Sequence, residues 1–301
     1  MTQVSIPTRA WVMLVLLSLM WGSSFLTTTV LVHTMAPLHV VTHRVLWAAV
    51  ALWIYVGLRR LPVPRDPGTW GALFIMGAGA NALPFILQAY AQTTIESGLA
   101  GILNASTAIF GPLVAALVLA DERLTRRKAL GVALGFAGVA TVFGLDVLKG
   151  FDLRSAAQLA MIVSTFCYAS TSVFARVKLG HLSPEMAATG MLTGATAIML
   201  PLSWAVSGPL PFDLPWPTLG ALAIYGLVIT ALAYLLFYRI IRLAGAGNTT
   251  LVTLLVVPIA VTLGALVRHE TLPPSAFAGF ALIAAGLVVL DGRLFRRRDR
   301  V

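Results

Sequence analysis

Apolar runs of about twenty residues follow one another along this chain with few charges between them, and that recurrence limits what it can fold into. A helix of about 20 apolar residues, rising 1.5 Å per residue, matches the hydrocarbon thickness of a bilayer. Ten runs qualify as spans: 10–32, 37–58, 69–90, 97–119, 127–145, 155–177, 184–206, 216–239, 246–267 and 275–292. Of 301 residues, 58% are hydrophobic and 11% charged, whereas about a quarter of a soluble domain is charged. The remainder is too small for a sizeable water-soluble domain. The breaks between runs are chemical: Pro37 and Pro184 suit the first turn of a helix, and the proline-rich stretches 62–68, 209–217 and 272–274 cannot continue one. The first run is too long for a signal-peptide core and lacks a small-x-small cleavage site, so a retained span is expected. A single cysteine, Cys167, excludes an internal disulfide or a thiolate metal cluster.

Charge fixes an orientation. With the N-terminus placed in the cytoplasm, 17 of the 21 basic residues fall on the cytoplasmic side; Lys149, Arg154 and Arg268 fall outside, and Arg44 lies within a span. This bias follows the positive-inside rule and puts both termini in the cytoplasm. It also accounts for the net charge of +10 without nucleic acid as a partner, since the basic tail Phe295 to Arg300 sits where anionic lipid would be. The partner is the lipid bilayer.

The second half echoes the first. At an offset of 148, Asp121 to Gly138 falls on His269 to Gly286, with Glu122/Glu270, Gly131/Gly279 and Gly138/Gly286 among the identities. At an offset of 147, Pro37 falls on Pro184, and the segment Trp21 to Phe25 falls on Tyr168 to Ser172. Five spans per repeat give the halves opposite orientations, an architecture in which substrate sits near the midplane at the repeat interface. The expected fold is therefore an all-α integral membrane protein of ten transmembrane helices, built as two inverted five-helix repeats, 1–147 and 148–301, around a central cavity.

The order of these features resembles the EamA-type branch of the drug/metabolite transporter superfamily. The resemblance rests on WGSSF (21–25), Pro37 with Arg44, Pro112 followed by DERL (121–124) and a glycine-rich span, then the same order again through Pro258 and HETL (269–272). It covers nearly the whole chain and implies a two-times-five exporter or permease of small metabolites. Within that branch the chain is similar to YddG-type amino-acid exporters of bacterial inner membranes. One departure stands out: Pro112 to Glu122 spans ten residues, but Pro258 to Glu270 spans twelve.

Neutral polar residues at mid-span are the candidate cavity lining: Trp21, Ser24, Asn81, Gln88, Asn104, Thr107, Tyr168, Thr230, Tyr234 and Thr253. Gly77, Asn81, Pro84 and Gln88 recur as one helical stripe, and Gly226, Thr230, Tyr234 and Tyr238 recur every four residues. Such groups serve either as interhelical glue or as a site for zwitterions and neutral metabolites. Trp21 and Tyr168, related by the repeat, are expected to face each other across the cavity. Arg44 either ties spans together or serves an outer vestibule; Pro84, Pro112 and Pro258 are either static kinks or hinges. His33, His39 and His43 lie near one mouth, but no carboxylate or cysteine joins them, so no metal and no cofactor are expected.

None of the eleven carboxylates lies at mid-span. That argues against exchange of protons for cationic drugs at a membrane glutamate and favours movement down a gradient, or exchange, with Glu96 and His43 as the alternative proton carriers. A single intramembrane arginine speaks against phosphate or nucleotide-sugar cargo. The reading is an exporter of small polar metabolites, most of all amino acids, working by alternating access as a monomer; the alternatives are a multidrug, nucleoside or sugar permease. An intramembrane enzyme would need a nucleophile with its base, a carboxylate pair or a metal cluster, and the spans carry none.

Overall fold

A computed structural model describes residues 6–32, 34–91, 97–144, 152, 155–268 and 274–291. His33, Glu96, Lys149, Arg154, Glu270 and the basic tail lie outside the described residues. Among those described, every regular element is a helix: α1 (Thr8–Val32), α2 (Pro37–Leu58), α3 (Pro67–Gly77), a π segment (Ala78–Ala82), α4 (Leu83–Ala91), α5 (Ser97–Ala105), α6 (Thr107–Val118), α7 (Arg126–Phe143), α8 (Ala156–Leu179), α9 (Pro184–Ser207), α10 (Trp216–Ala223), a second π segment (Ile224–Leu232), α11 (Ala233–Ala244), α12 (Ala246–Thr249), α13 (Val252–Arg268) and α14 (Pro274–Asp291). Seven stretches among the described residues are long and apolar enough to cross a membrane: Pro37–Leu58, Pro67–Gln88, Gly101–Val118, Ala156–Leu179, Pro184–Ser207, Trp216–Ala244 and Ala246–Val267.

Local chemistry sets the helix ends. Prolines open α2, α3 and α9, where the missing N–H leaves no bond unmade. Side-chain oxygens of Asp66, Thr125 and Ser183 accept from the N–H groups of Thr69, Lys128 and Met186 at 2.7, 3.2 and 3.2 Å. At the other ends of α9 and α11, Gly208 and Gly245 take φ of +83° and +90°, a conformation costly for any side chain.

Several expectations of continuous α-helix need correction, among them the stripe Gly226, Thr230, Tyr234 and Tyr238, which starts inside the π segment Ile224–Leu232. The stripe from Gly77 to Gln88 passes through the π segment Ala78–Ala82, so its residues do not follow one 3.6-residue period. Pro84 has no N–H to give to the carbonyl of Ala80, and the chain widens immediately before it. The other break is in the helices that follow. Ser106 separates α5 from α6, and Thr250 with Leu251 separate α12 from α13. Hydroxyls occupy the freed carbonyls: Ser106 donates to Leu103 and Thr250 to Gly247 at 2.8 Å, while Thr107 and Thr253 donate to Asn104 and Thr250, each at 2.8 Å.

The tightest seam joins α7 to α14. A Cβ added to Gly131 would stand 2.8 Å from the carbonyl oxygen of Gly286, and one on Gly138 would stand 2.7 Å from that of Gly279. An early glycine of α7 meets a late glycine of α14, so the two helices run antiparallel with their backbones in contact. Small residues are what allow such approach in a membrane protein. A second close crossing sets Gly77 of α3 against the backbone of Gly194 and Ala195 in α9.

Gly138→Leu is expected to destabilise the fold by about 1–3 kcal/mol through overpacking. Gly71→Leu, where an added Cβ meets nothing within 4 Å, is expected to leave stability near that of the wild type. Melting of the two variants in detergent checks the pair.

Candidate functional site

Two polar clusters lie between the helices. In the first, the Gln88 amide of α4 donates to the Ser164 hydroxyl of α8 at 2.9 Å, to the Tyr168 hydroxyl at 3.3 Å and to Asn104 Oδ1 of α5 at 3.4 Å. Gln88, Asn104 and Tyr168, drawn from three separate runs of sequence, are thus brought together. All three stay half-buried.

The second cluster surrounds Arg44. Its Nε donates to the Thr230 hydroxyl at 2.9 Å and its Nη1 to the Tyr225 hydroxyl at 3.2 Å. The guanidinium lies between two rings, 4.9 Å from the centre of Phe85 and 4.8 Å from that of Tyr225. Both are cation–π contacts on a largely desolvated charge. Among the described residues no carboxylate pairs with it. One turn beyond Thr230, the Tyr234 hydroxyl donates to Asn81 Oδ1 at 2.8 Å, and Trp21 packs edge-on against Tyr234 at 5.9 Å and tilted against Phe237 at 5.8 Å. Trp21 therefore has Tyr234 and Phe237 as its ring neighbours, while Tyr168 belongs to the Gln88 cluster.

The remaining candidates turn to their own backbone. Ser24 donates to the carbonyl of Trp21 at 2.6 Å, and Thr107 and Thr253 close the helix breaks described above. Pro84 and Pro112 are buried, and Pro258 is half-buried. The histidines are used structurally: His43 accepts from Trp47 Nε1 through Nδ1 at 3.2 Å, so its Nε2 donates to the Pro211 carbonyl at 2.8 Å. That pairing fixes a neutral tautomer. His39 Nε2 lies 3.2 Å from the Gly208 carbonyl.

A third assembly, at the end that the charge sorting assigns to the cytoplasm, is built on an acid in the loop before α7. Glu122 is only 1% exposed. Its Oε1 accepts from Ala246 N–H at 2.7 Å and its Oε2 from Gly247 N–H at 2.8 Å. Arg176 of α8 donates to the same carboxylate and, through Nη2, to Asp121 at 2.5 Å. The hydrogen bond from Arg176 holds the Asp121 carboxyl below the usual carboxylate range. At the same end, Arg239 of α11 pairs with Glu185 of α9 at 2.6 Å. Cavities of about 290 and 510 Å³ open here beside Arg176, Arg239 and Arg242; the lining reaches inward to Tyr238, one turn short of Tyr234.

Sequence reasoning placed Glu122 in an acidic loop and did not foresee its burial. The available clue was the pair of glycines at 245 and 247, since a side chain at either would collide with the Glu122 carboxylate. Ser164, Phe85 and Tyr225 were also missed, being ordinary residues of apolar helices until the fold sets them beside Gln88 and Arg44.

Helices long and apolar enough to cross a membrane, with polar clusters packed between them, fit a membrane transporter. The EamA-like transporter family model matches the chain twice, over residues 8–144 and 155–290. The chain belongs to the EamA-like transporter family. Its relatives include a probable amino-acid metabolite efflux pump of Salmonella typhimurium, 26% identical over 95% of this chain and 96% of that protein. A probable terminal-alkyne amino-acid exporter of Streptantibioticus cattleyicolor is 27% identical over 95% and 94%, and the uncharacterized transporter YoaV of Bacillus subtilis is 21% identical over 93% and 96%. One solved crystal structure shares the fold, with a TM-score of 0.78 at 19% identity over 98% of this chain and 99% of that one.

Glu122→Gln is expected to cost about 2 kcal/mol or more, because it removes the charge from a buried set of hydrogen bonds and leaves part of Arg176 unmatched. Because the folded Asp121 carboxyl titrates below its unfolded value, its pairing stabilises the fold above that value. The stabilisation fades as pH falls through about 4 toward the folded value. Melting between neutral and acid pH should show a steeper loss in the wild type than in Arg176→Gln.

Proposed function

We propose that this transporter exports small polar metabolites, amino acids foremost, across a bacterial inner membrane by alternating access, as a monomer with both termini in the cytoplasm. The observation that carries this reading is the network of Gln88, Asn104 and Tyr168, half-buried, around the buried Ser164. It joins helices of both halves, presents neutral hydrogen-bonding groups with the Tyr168 ring among them, and carries no acid among the described residues, a lining suited to small zwitterions bound loosely. The printed names of the Salmonella and Streptantibioticus relatives support the same cargo.

We read residues 1–147 and 148–301 as two inverted five-helix halves around a central cavity, with all ten helical runs crossing the bilayer. The packing supports this. The close neighbours α7 with α14, and α2 with α9, join equivalent helices of the two halves, while α1 with α13 has its counterpart in α8 with α6. The antiparallel glycine seam and the doubled family match support it as well. Single cysteines at Thr2 and Ser207, in a Cys167→Ser background, are expected to react with an impermeant reagent from opposite sides of the membrane. Labelling of both from one side in intact cells overturns the topology.

In proteoliposomes, neutral amino acids are expected to move down their own gradient, since no described carboxylate lies in the middle of a span. Gln88→Leu should reduce counterflow about tenfold or more with little loss of expression. Accumulation of amino acid severalfold by an imposed pH gradient alone would show proton coupling and refute the uniport reading; nucleoside or sugar counterflow without amino-acid counterflow would reassign the cargo.

A further inference from the structure

Around Arg44 the polar groups left without partners are donors. Asn81 is fully buried at 0% exposure; its Oδ1 is taken by the Tyr234 hydroxyl, and its Nδ2 has no hydrogen-bond partner. The Trp21 indole Nε1 is likewise buried and unpartnered. Arg44 spends Nε on Thr230 and Nη1 on Tyr225, and among the described residues no carboxylate pairs with its charge. These groups are close: Asn81 and Phe85, which stacks on Arg44, are four residues apart, as are Thr230 and Tyr234, Tyr234 bonds Asn81, and Trp21 lies against Tyr234.

A buried amide donor, a buried indole donor and a cation in an aromatic sandwich would each be expensive to leave unmatched in a low-dielectric setting. What they lack in common is an acceptor with one negative charge and two oxygens. We propose that Arg44, Asn81 and Trp21 form a subsite for the carboxylate of the transported molecule, with Tyr225, Thr230 and Tyr234 as positioning residues. Thr230 donates to the Tyr225 carbonyl at 2.7 Å within the second π segment, so its oxygen stays turned to accept from Arg44 Nε. Tyr234 fixes the amide of Asn81 with its oxygen engaged and its NH₂ available. Phosphate monoesters fit worse: two charges would face a single guanidinium. This assignment rests on the export reading above for its choice of amino acids as cargo, but its chemistry requires only a monocarboxylate.

The full chain in lipid nanodiscs tests the subsite by melting with L-phenylalanine, 3-phenylpropanoate or phenethylamine, chosen because Trp21, Tyr234 and Phe237 wall the cluster with rings. Both carboxylates should raise the melting temperature and the amine should not. Arg44→Lys, which keeps the charge without the planar fork, should weaken the carboxylate effect about tenfold in midpoint concentration. Asn81→Asp places a carboxylate beside Arg44 within the protein; it should abolish the carboxylate effect while leaving the unliganded protein at least as stable as the wild type, which separates lost binding from lost folding. Equal stabilisation by phenethylamine, no stabilisation of the wild type by either carboxylate, or an undiminished carboxylate effect in Asn81→Asp overturns the subsite, and amino-acid counterflow that persists in that case leaves the export reading standing. Stabilisation by 3-phenylpropanoate, lost in Asn81→Asp, in a protein that moves no amino acid keeps the subsite and removes the export reading.

Discussion

The carboxylate of Glu122 holds one end of the bundle together. It neutralises two backbone N–H groups at the start of α12, binds Arg176 of α8, and lies against glycines that leave room for nothing larger. Through these contacts the loop before α7 is tied to the junction of α11 and α12 and to the middle of α8's last turns. Buried charge is expensive unless its lone pairs are used, and here three hydrogen bonds come from two separate parts of the chain, the start of α12 and Arg176 of α8. Helix α12 has only four residues and little cooperativity of its own; its first turn depends on this acid. Arg239 and Glu185 close the same end with a further ion pair.

Much of the fold was legible because bilayer-spanning helices announce themselves by length and hydropathy, and because prolines and glycines mark their ends. The helix at 37–58 was read to the residue, since Pro37 fixes its first turn and the polar stretch after Leu58 ends it. What the pattern could not carry was departure from α geometry. Apolar residues look alike whether the chain turns every 3.6 residues or widens, so the π segments at Ala78–Ala82 and Ile224–Leu232, and the breaks at Ser106 and Thr250, went unseen. Pro84 and the clustered hydroxyls were the only local hints.

The candidate residues were recognisable by type and not by partnership. Gln88, Asn104 and Tyr168 stood out as polar groups in apolar runs, yet their convergence depends on how α4, α5 and α8 cross. Trp21 and Tyr168 correspond by repeat position, but each acquires neighbours from elsewhere, Tyr234 and Phe237 for one and Gln88 for the other. Symmetry in sequence does not carry over to side chains once the halves differ, as they do at Arg44, for which the second half offers Met191 at the matching offset of 147.

The seam of α7 and α14 has a mechanical meaning. Two backbones touching at Gly131 with Gly286, and again at Gly138 with Gly279, resist sliding, because Leu290 and Ile283 of α14 and Val142 of α7 already stand against the contact glycines. They can rotate slightly about the contact, as crossed rods can. Any displacement of α7 relative to α14 would therefore disturb direct backbone contact, so the two helices answer a load as one unit.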